Sequence, residues 1–385
     1  MKLPALFSIA KLQNVVNRCL SPFDVHLFFE QKSLAAYSLL EEGLRPQAAK
    51  GGPDHEKIVR RVLAAYQAAK LAQKTAPDPY KAGRAWEFQI QTYRKNYLDA
   101  LASTDVSLLG ILLADFFRNS GTSGAWTYAD YATITKSSRW KKKWFINSVL
   151  NDYATWKDFV DESDLSPLSA PRIGNPWGLK LAGRLVMPVS FRHHYDAHHV
   201  KNLLVDIKAP VVVEIGGGFG GFAYYLMKGQ KPLTYCDFDL PEILLIASYY
   251  LICAFPEKRI LLFGERNTEN LSTAIQDYDV LLMPNFQLET LPDYCVDLFI
   301  NTHSLSEMDY QTVREYISHI TRTCRHYFFH VNSDRKIVIH GDHTEVPASE
   351  FAIPEQQFKR IYKSYSPWGG GSGRIREHLY EIRPR

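Results

Sequence analysis

Residues 211–221 read Val-Val-Val-Glu-Ile-Gly-Gly-Gly-Phe-Gly-Gly, and no other stretch constrains the fold as tightly. The β-branched run Val211, Val212, Val213 predicts a buried strand. After Glu214, five of the next seven residues are glycine. A segment with so few Cβ atoms turns sharply and lets another group approach its backbone. The apolar run 222–227 then predicts a helix that starts in the loop. Strand, glycine loop and helix N-terminus together make the mononucleotide-binding corner of an open α/β sheet.

The glycines do not by themselves choose the ligand. Gly216, Gly218 and Gly221 also satisfy the spacing of a dinucleotide fingerprint. Two acidic positions help to decide. Glu214 stands where a dinucleotide strand normally carries an apolar residue. The second strand ends in Cys236-Asp237-Phe238-Asp239-Leu240-Pro241, which sets Asp239 23 residues beyond Gly216. A carboxylate at about that distance is placed to grip a ribose diol. Asp237 points to the same side and is the fallback. A glycine turn with no ligand is the bland alternative, and the agreement of strand, loop, helix and second acid argues against it.

At 385 residues the chain is long enough for two substantial cores. A net charge of +4, spread along the chain, gives no nucleic-acid footprint. The run Arg139-Trp-Lys-Lys-Lys-Trp144 is basic and aromatic, which reads first as a solvated helix face. Five cysteines without a CxxC spacing argue against a disulfide framework or structural zinc, and for a reducing, cytoplasmic setting. The apolar stretch 3–10 is interrupted at Lys11 and reads as a helix rather than a leader. No apolar run reaches the length of a membrane span.

Helical periodicity dominates the first half, with helices expected at 23–42, 54–73, 85–102, 106–117 and 139–159. Residues 1–165 are therefore expected as a helical domain whose aromatics suit core packing or a homodimer contact. Residues 166–190 are rich in proline and glycine and are expected as a junction. Their Gly174-Asn175-Pro176-Trp177-Gly178 is a candidate lid over the ligand, with a plain connector as the alternative. Residues 191–385 are expected as an α/β domain opened by a helix from Phe191. Two stretches compete for the third strand, 259–263 and 278–283. The second is preferred, and leaves 258–277 as an insertion or an extra strand and helix. Later strands are expected at 296–301 and 326–331. A final pair, 358–365 and 375–382, flanks a glycine-rich loop.

Glu214-x-Gly216-x-Gly218-x-Gly220 resembles motif I of class I S-adenosylmethionine-dependent methyltransferases, and Asp239-Leu240-Pro241 resembles the corresponding segment of small-molecule O-methyltransferases. The fourth strand with its succeeding turn, Asp297-Leu-Phe-Ile-Asn301-x-His303-Ser-Leu-Ser-Glu307-Met308, resembles a bacterial family of sugar O-methyltransferases. That likeness covers roughly residues 170–385. It implies a Rossmann-like sheet ending in an antiparallel strand pair, and S-adenosyl-L-methionine as cofactor. It implies cofactor contacts from Glu214, Gly216, Gly217, Gly218, Gly220, Asp237, Asp239, Leu240 and Asn301, with Asn285 and Phe286 at the adenine. The helix before the first strand often touches the methionine carboxylate in such enzymes, and Arg192 and Tyr195 are suitable donors there.

The chemistry of an open α/β sheet sits at the carboxyl ends of its strands. Methylating a sugar hydroxyl requires alignment of the acceptor and removal of its proton. His303 is the expected base, since neutral imidazole is available near pH 7. Glu307, one turn on, is expected to orient it or to bind a sugar hydroxyl. His330 and Asn332, after the fifth strand, are expected to reach the same side as substrate contacts. A helix-capping or core histidine is the alternative for His303. A metal at His194 and His198, or at Asp334, Asp342 and His343, is disfavoured by the missing third ligand and the irregular spacing. The expected activity is methyl transfer to a sugar or polyol hydroxyl, nucleotide- or lipid-linked acceptors included. A nicotinamide-dependent oxidoreductase and a non-catalytic cofactor-binding partner are the alternatives.

Overall fold

In the computed structural model the described residues are 33–46, 54–122, 127–162, 164–229, 232–339, 343–368 and 374–383. The apolar stretch 3–10, Cys19, residues 23–32 of the first expected helix, Asp342 and glycines 369–371 and 373 lie outside them. The helical half consists of α1 (Ser33–Leu44), α2 (His55–Gln73), α3 (Arg84–Tyr93), α4 (Lys95–Ala102), α5 (Val106–Ala114), α6 (Thr127–Thr135) and α7 (Arg139–Val160). Asp105 caps α5 by accepting from the Leu108 N–H, and Ser138 caps α7 by accepting from Lys141 N–H.

Two helices differ from the periodicity. The stretch 85–102 is two helices, broken at Arg94 with φ −102° and ψ 19°. The buried Arg94 guanidinium donates to the Glu242 carbonyl at 3.1 Å, a tertiary contact invisible to local pattern. The helix from Val106 stops at Ala114 rather than 117, because Phe117 N–H turns away to the Gly174 carbonyl at 3.0 Å.

A short hairpin follows, β1 (Leu179–Leu181) with β2 (Arg184–Val186), and then α8 (Ser190–Leu203). The sheet is built from β3 (Val211–Ile215), α9 (Gly221–Met227), β4 (Thr234–Asp239), α10 (Pro241–Ala254), β5 (Ile260–Leu262), α11 (Ser272–Asp277), β6 (Val280–Pro284), β7 (Val296–Thr302), α12 (Tyr310–Thr323) and β8 (Cys324–Ser333). The two-residue strands β9 (Val338–Ile339) and β10 (His343–Thr344) pair with each other, and β11 (Phe358–Tyr365) and β12 (Ile375–Ile382) close the sheet. Strand order is β11-β12-β8-β7-β3-β4-β6-β5. All neighbours are parallel except β12 against β8 and β11 against β12. This is the Rossmann-like sheet with a terminal antiparallel pair. The third strand beside β4 is β6, and β5 with α11 is the extra unit at the edge.

The central strands are buried on both faces, as parallel strands must be. Val212 faces one apolar layer, and Val211, Val213 and Ile215 face the other. The helical half packs on the first of these layers. Val59 and Val62 of α2, Leu109 and Leu113 of α5, and Phe116 and Phe117 share one core with Leu244, Tyr249 and Tyr250 of α10.

The segment Gly174–Gly178 belongs to this helical layer and lines no part of the ligand cleft. Trp177 is buried between Phe145 and Tyr131, with ring centroids at 5.8 and 5.6 Å. Arg118 gathers the surrounding backbone, donating to the carbonyls of Leu44, Arg45, Asn175 and Pro176 at 2.7–3.2 Å. No helix among the described residues is long and apolar enough to cross a membrane.

Candidate functional site

A cleft opens at the carboxyl ends of β3, β4 and β7, where the sheet order reverses about β3. Its floor is Glu214 and the loop Gly216, Gly217, Gly218. One wall carries Asp239, Leu240 and Asn285. The other carries Arg192, His193, His303, Ser304 and Glu307. The helical half supplies Pro79, Lys81, Gly83 and Trp86, and α12 supplies Thr312 and Tyr316.

The loop has the geometry its glycines allow. Gly216, Gly218 and Gly220 all have positive φ, at 76°, 63° and 85°. Gly217 is required for close approach instead, since a Cβ there would stand 2.7 Å from the Asp237 carboxylate. Backbone N–H groups of the loop are held from below. Gly217 donates to Asp237 Oδ1 at 3.1 Å and Gly218 donates to Asp239 Oδ2 at 3.0 Å. The Leu240 N–H donates to Asp239 Oδ1 at 2.7 Å.

Asp237 therefore corrects the fallback assignment. It is fully buried beneath the loop, outside the cleft lining, and its carboxylate braces Gly217. Asp239, two residues on, is the acid at the cleft wall. Burial raises the pKa of Glu214, Asp237 and Asp239 alike. Their mutual repulsion adds to this, since Asp239 acts on Glu214 and on Asp237. Glu214 Oε2 accepts from the Tyr235 hydroxyl at 2.6 Å, which opposes the rise.

Arg192 lies across the cleft from this acidic floor. Its Nη1 donates to His303 Nε2 at 3.1 Å, while its buried Nε has no hydrogen-bond partner among the described residues. Guanidinium only donates, so His303 Nε2 is the accepting nitrogen and Nδ1 carries the proton. Burial, with Arg192 and Arg374 nearby, drives the His303 pKa down to about 3. His303 also has φ 71°, a left-handed conformation that costs a non-glycine residue on the order of 1–3 kcal/mol. Its N–H is fixed to the Val331 carbonyl at 2.7 Å.

Glu307 behaves in the opposite sense. Burial raises its pKa to about 7, the Trp86 N–H lowers it, and the neighbouring Glu345 raises it. Trp86 Nε1 donates to Glu307 Oε2 at 3.0 Å. The cleft thus holds an imidazole that stays neutral and a carboxyl that changes charge near neutrality.

Several expected contacts lie elsewhere. Asn301 is fully buried and is a brace: Nδ2 donates to the Ile215 carbonyl at 2.8 Å, and Oδ1 accepts from Asn332 Nδ2 at 2.8 Å. Asn332 in turn accepts the Ser306 N–H at 3.1 Å. His330 is buried against His378, with ring centroids at 4.5 Å. Neither His330 nor Asn332 lines the cleft, because both side chains fall on a β8 face covered by protein. Tyr195 also misses it, since its hydroxyl donates to Glu377 Oε2 of β12 at 3.1 Å. Phe286 packs edge-on against Phe263, and Gly220 caps α9 beside Leu251, so of the adenine pair Asn285 alone reaches the lining.

Trp86, Lys81, Thr312 and Tyr316 escaped detection from sequence. None lies in a recognisable motif, and Trp86 in an amphipathic helix reads as core. Among the described residues no group of three His, Cys, Asp or Glu side chains is placed to hold a metal ion. His194 Nδ1 instead faces the Trp156 indole N–H at 3.0 Å.

No protein-family model matches the chain, and no curated protein matches it. Among solved structures it is similar to the small RNA methyltransferase HEN1, at 13% identity over 50% of this chain and 25% of that one, with a TM-score of 0.35. It thus spans about a quarter of that protein's length. It is similar to magnesium protoporphyrin IX methyltransferase from Synechocystis PCC 6803 with bound SAH, at 12% identity over 51% and 85% of the two chains and a TM-score of 0.36. It is also similar to the N-methyltransferase NodS from Bradyrhizobium japonicum WM9 in complex with S-adenosyl-L-homocysteine, at 12% identity over 61% and 100% and a TM-score of 0.36. At overlaps this slight, the cleft's own residues decide its ligand.

Proposed function

We propose that the chain is an S-adenosylmethionine-dependent O-methyltransferase whose acceptor is a hydroxyl of a sugar or related polyol, free or nucleotide- or lipid-linked. One observation carries this reading: Arg192, Glu214 and Asp239 line a single cleft around the glycine loop. A guanidinium with a free buried donor suits the methionine carboxylate, and Glu214 suits the adjacent ammonium. Asp239 suits the ribose diol. The raised pKa values of Glu214 and Asp239 fit a site whose carboxylates gain their partners from the ligand. Asn285 and Leu240 suit the adenine end. When bound, the cofactor supplies an electrophilic methyl group activated by its own sulfonium charge.

The residues of this chain then have to seat the acceptor and hold its proton. Glu307, not His303, is the better base. His303 is too weak a base at about 3, and Arg192 occupies its Nε2. Glu307, at about 7, is ionised over part of the neutral range and can return the proton to solvent. His303 then serves as a donor through Nδ1–H toward the acceptor. A carboxylate, an indole and a lysine among the lining residues suit a polyhydroxylated acceptor. The helical half, residues 1–165, acts in this reading as the acceptor wall. The four described cysteines are all free, in keeping with a reducing cytoplasmic setting.

Isothermal titration of the purified protein with S-adenosylmethionine and with NAD tests the cofactor. Binding of S-adenosylmethionine that weakens in Glu214→Ala and Asp239→Ala is expected. Binding of NAD alone overturns the proposal. The acceptor class is tested by incubating the protein with methyl-labelled S-adenosylmethionine and a polysaccharide extract, where label in the glycan fraction is expected.

A further inference from the structure

Glu307 has one polar side-chain partner among the described residues, and it comes from the other half of the chain. Trp86 Nε1 donates to Glu307 Oε2 at 3.0 Å across 221 residues of sequence. Both side chains line the cleft, and Glu307 Oε1 has no hydrogen-bond partner among the described residues. Neither group is free to drift. Trp86 packs against the buried cluster of Ile90, Leu240 and Ile243, which ties α3 to the acid-bearing end of β4. Glu307 ends the short turn Leu305–Glu307, whose backbone is pinned by Ser306 N–H to Asn332 Oδ1 and by Val346 N–H to the Ser306 carbonyl.

We propose that Trp86 is the positioning residue of the base, its indole N–H holding Glu307 Oε2 so that Oε1 is the oxygen that receives the acceptor proton. The inference rests on the methyltransferase reading above and deepens it, since it makes the helical half a part of the catalytic site. One carboxylate oxygen is occupied by a fixed donor, so the carboxylate plane is set by the protein and not by the acceptor. The proton moves from the acceptor hydroxyl to Oε1 and leaves to solvent after turnover. The same N–H stabilises the ionised form, as does the positive charge of Arg374, and this keeps the base available despite its burial and the like charges of Glu345 and Asp239.

Labelling with nitrogen-15 tryptophan gives one indole signal for each of the seven tryptophans, and Trp86→Phe assigns that of residue 86. In the wild type this signal should move with pH about a midpoint near 7, and in Glu307→Gln it should not. The pH dependence of methyl transfer from labelled S-adenosylmethionine into the polysaccharide extract should show its acid limb shifted upward by about one pH unit in Trp86→Phe, since a donor to a charged group is lost. Affinity for S-adenosylmethionine should change by less than about twofold. An indole signal at residue 86 that ignores pH, or an acid limb that stays in place in Trp86→Phe, overturns the proposal. Should Trp86→Phe fail to fold, an indole signal that titrates near pH 7 in the wild type and not in Glu307→Gln upholds the pair, and the lack of any such signal overturns it. A normal titration in a protein that does not bind S-adenosylmethionine upholds the Trp86–Glu307 pair and sinks the methyltransferase reading alone.

Discussion

At the scale of single residues, the cleft separates two groups that the sequence had placed together. His303 and Glu307 both follow the fourth strand, and the imidazole has the better ordinary pKa for a base. Burial reverses the order, because it disfavours whichever form is charged. It pushes the imidazole down to about 3 and the carboxyl up to about 7. In the proposed reaction the acceptor proton thus has one of these two groups to go to near neutral pH. The proposed mechanism requires ionised Glu307, so the rate should rise through about pH 7 and level off above it. Glu307→Gln should reduce turnover by roughly 10²–10⁴-fold with cofactor affinity nearly unchanged. His303→Ala should cost less, since it removes a donor and not the base. Steady-state kinetics with the labelled extract check both, and normal turnover in Glu307→Gln would refute the assignment.

At the scale of elements, the glycine loop is held by the strands beneath it. Asp237 and Asp239 accept N–H groups from Gly217 and Gly218, so the loop is set before any ligand arrives. Gly217→Ala would press a Cβ onto the Asp237 carboxylate at 2.7 Å. It should cost on the order of 1–3 kcal/mol of stability and weaken cofactor binding, as a thermal melt and a titration would show. A second element contact joins α8 to β12 through the Tyr195 hydroxyl and Glu377. Burial raises the Glu377 pKa to about 7, so its neutral form is the one the fold prefers. Stability from this group is complete below its unfolded pKa of about 4.3 and is lost as pH rises toward the folded value. Glu377→Gln removes that loss. Its melting temperature relative to the wild type should climb between pH 5 and 7 and stay level above, and a flat difference would count against the account.

At the scale of the whole molecule, the helical half and the sheet share one apolar layer and several polar ties. Arg61 pairs with Glu265 at 2.6 Å and Lys70 with Glu242 at 2.8 Å. Arg94 is the deepest tie, bonded to the Glu242 carbonyl and close enough to Asp239 to favour its ionised form. Arg94→Met should therefore weaken S-adenosylmethionine binding several-fold although residue 94 does not line the cleft, together with a loss of roughly 1–3 kcal/mol in stability. Titration calorimetry and thermal melts of the same variant separate the two effects.

The α/β class, the strand–loop–helix corner, the preferred third strand and the terminal pair followed from local pattern. Each rests on backbone preference and near-neighbour spacing: β-branched runs, glycines, and an apolar period that changes between halves. The strands at 358–365 and 375–382 coincide with the observed ones for that reason. The positions of Glu214 and Asp239 were legible too, since a parallel strand puts its last residues at the ligand edge. What each side chain does was a different matter. Asp237 and Asp239 are indistinguishable by alternation and both brace the loop, yet only Asp239 also faces the cleft. Asn301, Asn332, His330 and Tyr195 turned inward because neighbouring elements supplied partners that no spacing announces. Trp86 entered the site from 221 residues away. Sequence determined the ligand corner, because its geometry is local. Only the tertiary structure decided how the titratable groups at that corner are charged and held, because pKa and orientation depend on burial and on contacts between distant parts of the chain.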